Sequence, residues 1–497
     1  MDTLTHWING RDVKPKGDRT GEVFNPATGD VQRHVPYATV DEVDAAVASA
    51  SKALESWRNS SIATRTRILF AYRELVNAKK DEIAKLLTLE HGKVFSDAQG
   101  EVQRGLEVVE YACGLAQLLK GEISENVSTE VDSYSLRQPV GVVAGITPFN
   151  FPAMVPMWMY PMALACGNTF VLKPSERDPS VTNLTAQLLA QAGVPEGVFN
   201  IVHGDKVAVD RLLHHPDVGA VSFVGSTPIA QYIYETGTKN GKRVQALGGA
   251  KNHMVVLPDA DMDLAADAAV GAGYGSAGER CMAISVLVTV GNAADKLLPK
   301  IRERIAALKV GNGLDPASQM GPLITRQHLD KVSGYVSRGV EEGAKLVVDG
   351  RSLKVPGHEK GFFLGPCLLD DVKPQMTCYQ DEIFGPVLSV VRVDNYADAI
   401  RLIHEHRYGN GTAIFTNDGG AARKFQHEIQ VGMVGINVPI PVPMAYYSFG
   451  GWKQSLFGDL HIYGPDGVRF YTRNKVVIGR WPDPRFRGVD LGFPQNK

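Results

Sequence analysis

Apolar positions recur at helical spacing through the first quarter of the chain. Thr39–Trp57 opens on Thr39 or Asp41 as a cap and carries one apolar stripe. A long amphipathic run, 63–92, closes at Gly92, and a further run, 96–121, closes at Gly121. The segment 125–141 then alternates and is rich in β-branched residues, which predicts an extended hairpin. Beyond it the rhythm changes. Short apolar runs of strand length, at 139–147, 168–175, 197–204, 218–226 and 242–249, alternate with helical patterns at 180–193 and 228–241. Such alternation predicts a parallel sheet wrapped by helices, with ligands at the carboxyl ends of the strands. From about Gly249 it restarts, and a second α/β unit is expected to run to about residue 463. The tail 467–483 again reads as a strand.

A chain of 497 residues exceeds what one hydrophobic core usually serves, so more than one structural unit is expected. With 44% hydrophobic and 21% charged residues and a net charge of -2, it reads as a soluble globular protein. That balance offers no basic surface for nucleic acid or an acidic membrane. The apolar stretch 151–167 contains Pro152, Pro156 and Pro161 and is too short and broken for a membrane span. The first thirty residues lack the basic stretch and apolar core of a secretory signal. Five cysteines without a C-x-x-C pair predict neither a disulfide framework nor a zinc site, so no metal is expected and a reducing, cytoplasmic setting is.

Four places could carry chemistry. Asn150, between two phenylalanines in "TPFNFP", has a carboxamide able to donate to an oxyanion, and could equally be a turn residue. Lys173 and Glu176 in "VLKPSE" end a strand and could hold ribose hydroxyls; the carboxylate would repel a 2′-phosphate, and the pair could also be a surface ion pair. Gly225, Ser226 and Thr227 lead from a strand into a helix whose first N–H groups suit a pyrophosphate, although a capping turn looks the same. Cys281 is the best nucleophile: Gly and small residues precede it, and Arg280 beside it would favour the thiolate. Most free cysteines are nonetheless small buried hydrophobes. His253 is read as structural. Arg104 aligns with Val108, Tyr111 and Leu115, so it needs an anion: Glu101, Glu107 or a substrate carboxylate.

In order, "TPFNFP", "VLKPSE", "FVGST", "LGGAKN", "GERC" and "DEIFGP" resemble the aldehyde dehydrogenase superfamily across essentially the whole chain. The resemblance implies an α/β fold with a Rossmann-type NAD-binding domain (1–123 and 142–248), an α/β catalytic domain (249–463) and a small β oligomerisation element (124–141 and 464–497), assembled as a homodimer or homotetramer. It makes Cys281 the nucleophile and Asn150, with the Cys281 N–H, the oxyanion site. Lys173 and Glu176 would hold the adenosine ribose, Ser226 would meet the pyrophosphate, and Glu382 and Phe384 would position the nicotinamide. Thr147, Phe149, Arg177, Gly225 and Gly248 complete the expected cofactor-binding set.

One departure bears on the chemistry. Hydrolytic members carry a glutamate immediately before "LGG"; here Ala246 stands there and cannot act as a general base. A better nucleophile than water, such as coenzyme A, is then implied. Segments 249–261, 278–285, 320–325 and 448–473 resemble a CoA-acylating branch that acts on malonate semialdehyde and its methyl derivative, with decarboxylation to acetyl-CoA or propionyl-CoA. Arg104 and Arg280 match positions expected to hold the substrate carboxylate. The readings that compete are a hydrolytic enzyme, a CoA-acylating enzyme for an uncharged aldehyde, and a non-catalytic binding protein on the same fold.

Overall fold

The computed structural model describes residues 2–481, together with positions 485, 489 and 492. Its first sheet has five parallel strands at its centre. Phe199–Ile201, Thr169–Lys173, Val142–Ile146, Val218–Val224 and Arg243–Leu247 lie side by side in that order. Numbered along the chain this is 3-2-1-4-5, the Rossmann order, which reverses direction between Val142–Ile146 and Val218–Val224. His6–Ile8 with Arg11–Val13 extends one edge, and Leu456–Phe457 joins the other antiparallel. The strands read as near-continuous apolar runs because helices cover both faces.

A second sheet of seven strands runs Lys345–Val348, Cys367–Asp370, Val387–Val393, Ile284–Val290, Asn252–Val256, Gly411–Phe415, Met433–Ile436. All its pairings are parallel except that of the Lys345–Val348 edge. Asn252–Val256 and Gly411–Phe415 flank its own reversal point. A small antiparallel sheet joins the hairpin Ile123–Ser128 and Val131–Pro139 to Thr472–Arg480. Ile123, Tyr134, Leu136, Val476 and Ile478 of that sheet are exposed.

Several elements differ from the sequence reading. The run 63–92 is two helices, Ile62–Ala78 and Lys80–His91, parted where Lys79 leaves helical geometry at φ -101°, ψ 11°. The run 96–121 is helical only over Phe95–Cys113, with a short 3₁₀ turn after Gly114. Strand pairing at the C-terminus begins at Thr472, because Gly464–Tyr471 is a helix whose Val468, Phe470 and Tyr471 pack into the core around Met154–Ala165. Residues 464–471 therefore belong to that core and not to the small sheet. Leu456–Phe457 likewise lies in the first sheet and not in the second unit. The expected strand beyond Trp481 lies outside the described residues. The proline-broken stretch folds as the helix Met154–Ala165, buried on every side with Pro161 inside it. No described helix is long and apolar enough to cross a membrane.

Candidate active site

Between the two sheets lies a cavity of about 1020 Å³. Ile146–Asn150, Lys173 and Phe223–Ser226 line it, so it opens at the carboxyl ends of the first sheet's strands, at the reversal point. All ten residues expected to bind a cofactor border this cavity: Thr147, Phe149, Lys173, Glu176, Arg177, Gly225, Ser226, Gly248, Glu382 and Phe384. Asn150 and Cys281 border it too.

At one end Lys173 Nζ donates to Glu176 Oε2 at 2.9 Å. Burial opposes the charge on Glu176, but Lys173, a backbone N–H and Arg177 together outweigh it and hold the carboxyl below its usual range. Ser226 caps the helix Thr227–Lys239 with extended backbone, and its hydroxyl makes no capping bond. The first N–H groups of that helix thus meet the cavity wall, a site suited to anionic oxygen. A Cβ on Gly225 would come within 2.4 Å of the Phe223 ring, and one on Gly248 within 2.9 Å of the Gln454 carbonyl oxygen. Both glycines keep that wall thin. Arg177 lies over the Phe149 ring at 5.0 Å, and Phe149 meets Phe384 edge-on at 5.8 Å.

At the other end stands Cys281. The helix Met262–Tyr274 stops, and Ser276, Ala277 and Gly278 follow in succession with φ of 52°, 51° and 73°. Three left-handed residues in a row, two of them not glycine, make a strained approach to the thiol. Gly278 sits on the turn Phe384–Pro386: a Cβ there would lie 2.2 Å from the Gly385 carbonyl oxygen. The Cys281 carbonyl accepts from Asn252 Nδ2 at 2.9 Å and Asn410 Nδ2 at 3.2 Å. Asn252 begins the strand Asn252–Val256 and Asn410 directly precedes its neighbour Gly411–Phe415, so the second sheet's reversal point fixes the nucleophile's backbone.

Burial pushes the Cys281 thiol up to about 12, with a further push from Glu382. Arg280, whose guanidinium is bound to Asp97 Oδ1 at 2.6 Å, lowers it and is the smallest of the contributions. Arg280 thus favours the thiolate, as the sequence suggests, but burial dominates. Burial also raises Glu382 to about 7. Its carboxylate accepts from the Ala250 N–H at 2.9 Å. Lys251, buried beside it, ties down the Cys378 and Asp381 carbonyls. Ala246 is fully buried in the smaller core beneath the first sheet. Among the described residues lining the cavity, Glu382 is the carboxylate at the Cys281 end; Glu176 lies with Lys173 at the other.

Arg104 stands apart from the cavity. Its guanidinium donates to Glu107 Oε2 at 2.9 Å and touches Met444 Sδ at 3.5 Å. Of the two glutamates weighed as partners, Glu107 holds it. Burial raises the Tyr463 phenol, Arg104 lowers it and Cys281 raises it further, so both groups lie within electrostatic reach of that side chain. His253 is buried against Tyr379 and His406, a structural setting.

Sequence reasoning missed the supports. Asp97 holds Arg280, Asn252 and Asn410 hold Cys281, and Lys93 with Glu101 holds the Asn150 loop. Glu279 was also missed, although it lies inside a recognised motif. It is fully buried; its Oε1 accepts from the Ile324 N–H at 3.2 Å and lies 3.6 Å from His328 Nε2. Its other oxygen is 3.9 Å from His91. Burial drives the Glu279 carboxyl well above its usual range and His91 well below.

Residues 13–477 match the family model described as the aldehyde dehydrogenase family. A curated malonate-semialdehyde dehydrogenase of Pseudomonas aeruginosa is 60% identical over 97% of each chain. A crystallised methylmalonate-semialdehyde dehydrogenase of Oceanimonas doudoroffii is 59% identical, with a TM-score of 0.96 over 98% of this chain and 100% of that one. A Sinorhizobium meliloti protein, named as a candidate methylmalonate-semialdehyde dehydrogenase and solved with NAD, is 53% identical, with a TM-score of 0.96 over 97% and 99%.

Proposed function

The chain belongs to the aldehyde dehydrogenase family, a family of oxidoreductases, and we propose that it oxidises malonate semialdehyde or methylmalonate semialdehyde with NAD and passes the acyl group to coenzyme A. The observation that carries the reading is a single cavity with Cys281 and Asn150 at one end and the Lys173–Glu176 pair at the other, in a chain with Ala246 before "LGG". The residues fit NAD. Lys173 and Glu176 would hold the adenosine ribose, and the helix start at Ser226 would hold the pyrophosphate between Gly225 and Gly248. Glu382 and Phe384 would border the nicotinamide. When bound, NAD supplies the acceptor for the aldehyde hydrogen.

In this scheme the Cys281 thiol gives its proton to water, its sulfur attacks the aldehyde carbon, and the Asn150 carboxamide with the Cys281 N–H receives the oxyanion. Oxidation leaves a thioester on Cys281. The substrate's β-carboxylate departs as carbon dioxide, and its electron pair moves into the thioester carbonyl, whose oxygen rests in the same oxyanion site. A proton from water then takes the place of the lost carbon dioxide, turning that carbon into the methyl of acetyl or the methylene of propionyl. CoA thiol displaces Cys281, giving acetyl-CoA or propionyl-CoA. Arg104 and Arg280 hold the carboxylate until it leaves. With Ala246 in place of a base, water competes poorly for the acyl group.

The exposed apolar residues of the small sheet suit a homodimer or homotetramer interface. The test is product analysis over a panel of aldehydes, with and without CoA. Acetyl-CoA and NADH in equal amounts from malonate semialdehyde, with propanal a poor substrate, support the reading. Free carboxylic acid as the main product overturns it.

A further inference from the structure

Lys93 and Glu101 are buried and border no part of the cavity, yet they grip the segment that carries Asn150 from both sides. Lys93 Nζ donates to the Asn150 carbonyl oxygen at 2.7 Å and to Glu101 Oε2 at 2.6 Å, and lies 4.3 Å over the Phe151 ring. The other Glu101 oxygen accepts from the N–H groups of Ala153 and Met154, at 2.8 and 3.1 Å. A cation thus holds the carbonyl at one end of a five-residue stretch, and its counter-anion holds two amides at the other.

The following helix takes the Phe151 and Ala153 carbonyls, from the Val155 and Met157 N–H groups at 3.1 and 3.2 Å, which leaves the Asn150 carbonyl and the Ala153 and Met154 amides to the ion pair. Pro148 and Pro152 lack N–H groups, and the helix Met154–Ala165 has no capping side chain of its own. Glu101 supplies that cap from another helix. It sits on Phe95–Cys113 between Asp97, which binds Arg280, and Arg104. Spacings of four and three put all three on one face. A buried ion pair is poor value for stability alone, since apolar side chains of similar size usually replace it without loss. Its presence asks for a role in which hydrogen-bond geometry counts.

We infer that Lys93 and Glu101 are positioning residues: they set the Asn150 carboxamide for the oxyanion and tie it to the helix that carries Arg104 and the partner of Arg280. The inference rests on the reading of Asn150 as an oxyanion donor. A displacement of about 1 Å at such a donor slows reaction by about 100-fold.

The test uses the full chain and four readouts: the NADH burst rate with malonate semialdehyde, NAD affinity, Tm, and alkylation of Cys281 by iodoacetamide, which needs no oxyanion site. In Lys93→Met/Glu101→Leu both charges are gone. Because the Ala153 and Met154 amides and the Asn150 carbonyl lose these partners, Tm is expected to fall while the variant still folds; NAD affinity and alkylation are expected near parental values, while the burst slows about 10- to 100-fold. Lys93→Arg keeps a donor and should recover part of the rate. Should the double variant fail to fold, Glu101→Gln keeps an acceptor for the two amides but loses the charge facing Lys93, and should slow the burst several-fold. A burst within two-fold of parental in the folded variants overturns the inference. Asn150→Ala separates the two failures. If it slows the burst and the pair variants do not, only the positioning role falls. If it changes nothing, the oxyanion reading falls and the inference with it.

Discussion

Replacing Arg104 with leucine tests whether the enzyme recognises a carboxylate. The side chain is 39% exposed and already shares its charge with Glu107 at 2.9 Å. Two unit charges about 4 Å apart at an effective dielectric near 20 attract by about 4 kcal/mol. Solvent and the competing Glu107 reduce this to about 1.5–3 kcal/mol, the range of a hydrogen bond to a charged group. Arg104→Leu should therefore lower kcat/KM for malonate semialdehyde about 10- to 150-fold. Propanal has a similar carbon skeleton without the charge, and its kcat/KM should move less than about three-fold. Removing the competitor should act the other way: Glu107→Gln frees the guanidinium and should lower KM for the semialdehyde. Equal losses for both aldehydes would mean that Arg104 only supports packing, and no loss for either would refute a substrate role.

Three further predictions follow from the same site. Glu382 titrates near 7 in the folded chain against about 4.5 when exposed, so the folded state binds its proton more tightly. The resulting penalty is absent below about pH 4.5, grows as pH rises and is complete above about 7; Glu382→Gln should stabilise the protein by about 1–3 kcal/mol at pH 8 and by almost nothing at pH 4.5, and an equal effect at both would contradict this. Gly278→Ala would place a methyl 2.2 Å from the Gly385 carbonyl at φ 73°, so it should lower stability by roughly 2 kcal/mol or more and slow alkylation of Cys281, an outcome that an unchanged Tm would exclude. Because burial lifts the Cys281 thiol to about 12, inactivation of the cofactor-free enzyme by iodoacetamide should keep rising up to pH 10, whereas a plateau near pH 7 would show that the charge of Arg280 outweighs burial.

Most of the architecture was legible because it depends on local pattern. The five core strands of the first sheet are apolar runs between turn residues, and the helix Val40–Asn59 declares itself through the Thr39–Glu42 capping box. The motifs that end those strands converge on one cavity, as their order along the chain implies. What stayed hidden depends on partners far away in sequence. Lys79 parts two helices with no proline or glycine to mark the break. Residues 467–471 read as the start of a strand because Val468, Phe470 and Tyr471 are β-prone residues, and only burial against Met154–Ala165 makes them helical. Pro161 is tolerated inside a helix because that helix is enclosed by others. Glu101 looked like a neighbour of Arg104; across 52 residues of sequence it caps Ala153 instead. Arg280 gave no sign that Asp97, 183 residues away, would share its charge.

The central claim is that the acyl group leaves Cys281 on CoA and not on water, because no carboxylate stands at Ala246. Mixing enzyme and NAD with malonate semialdehyde in a stopped-flow instrument, without CoA, measures this directly. The account predicts a burst of about one NADH per active site followed by near-arrest, with steady turnover restored when CoA is added. Full steady-state NADH formation without CoA would contradict it.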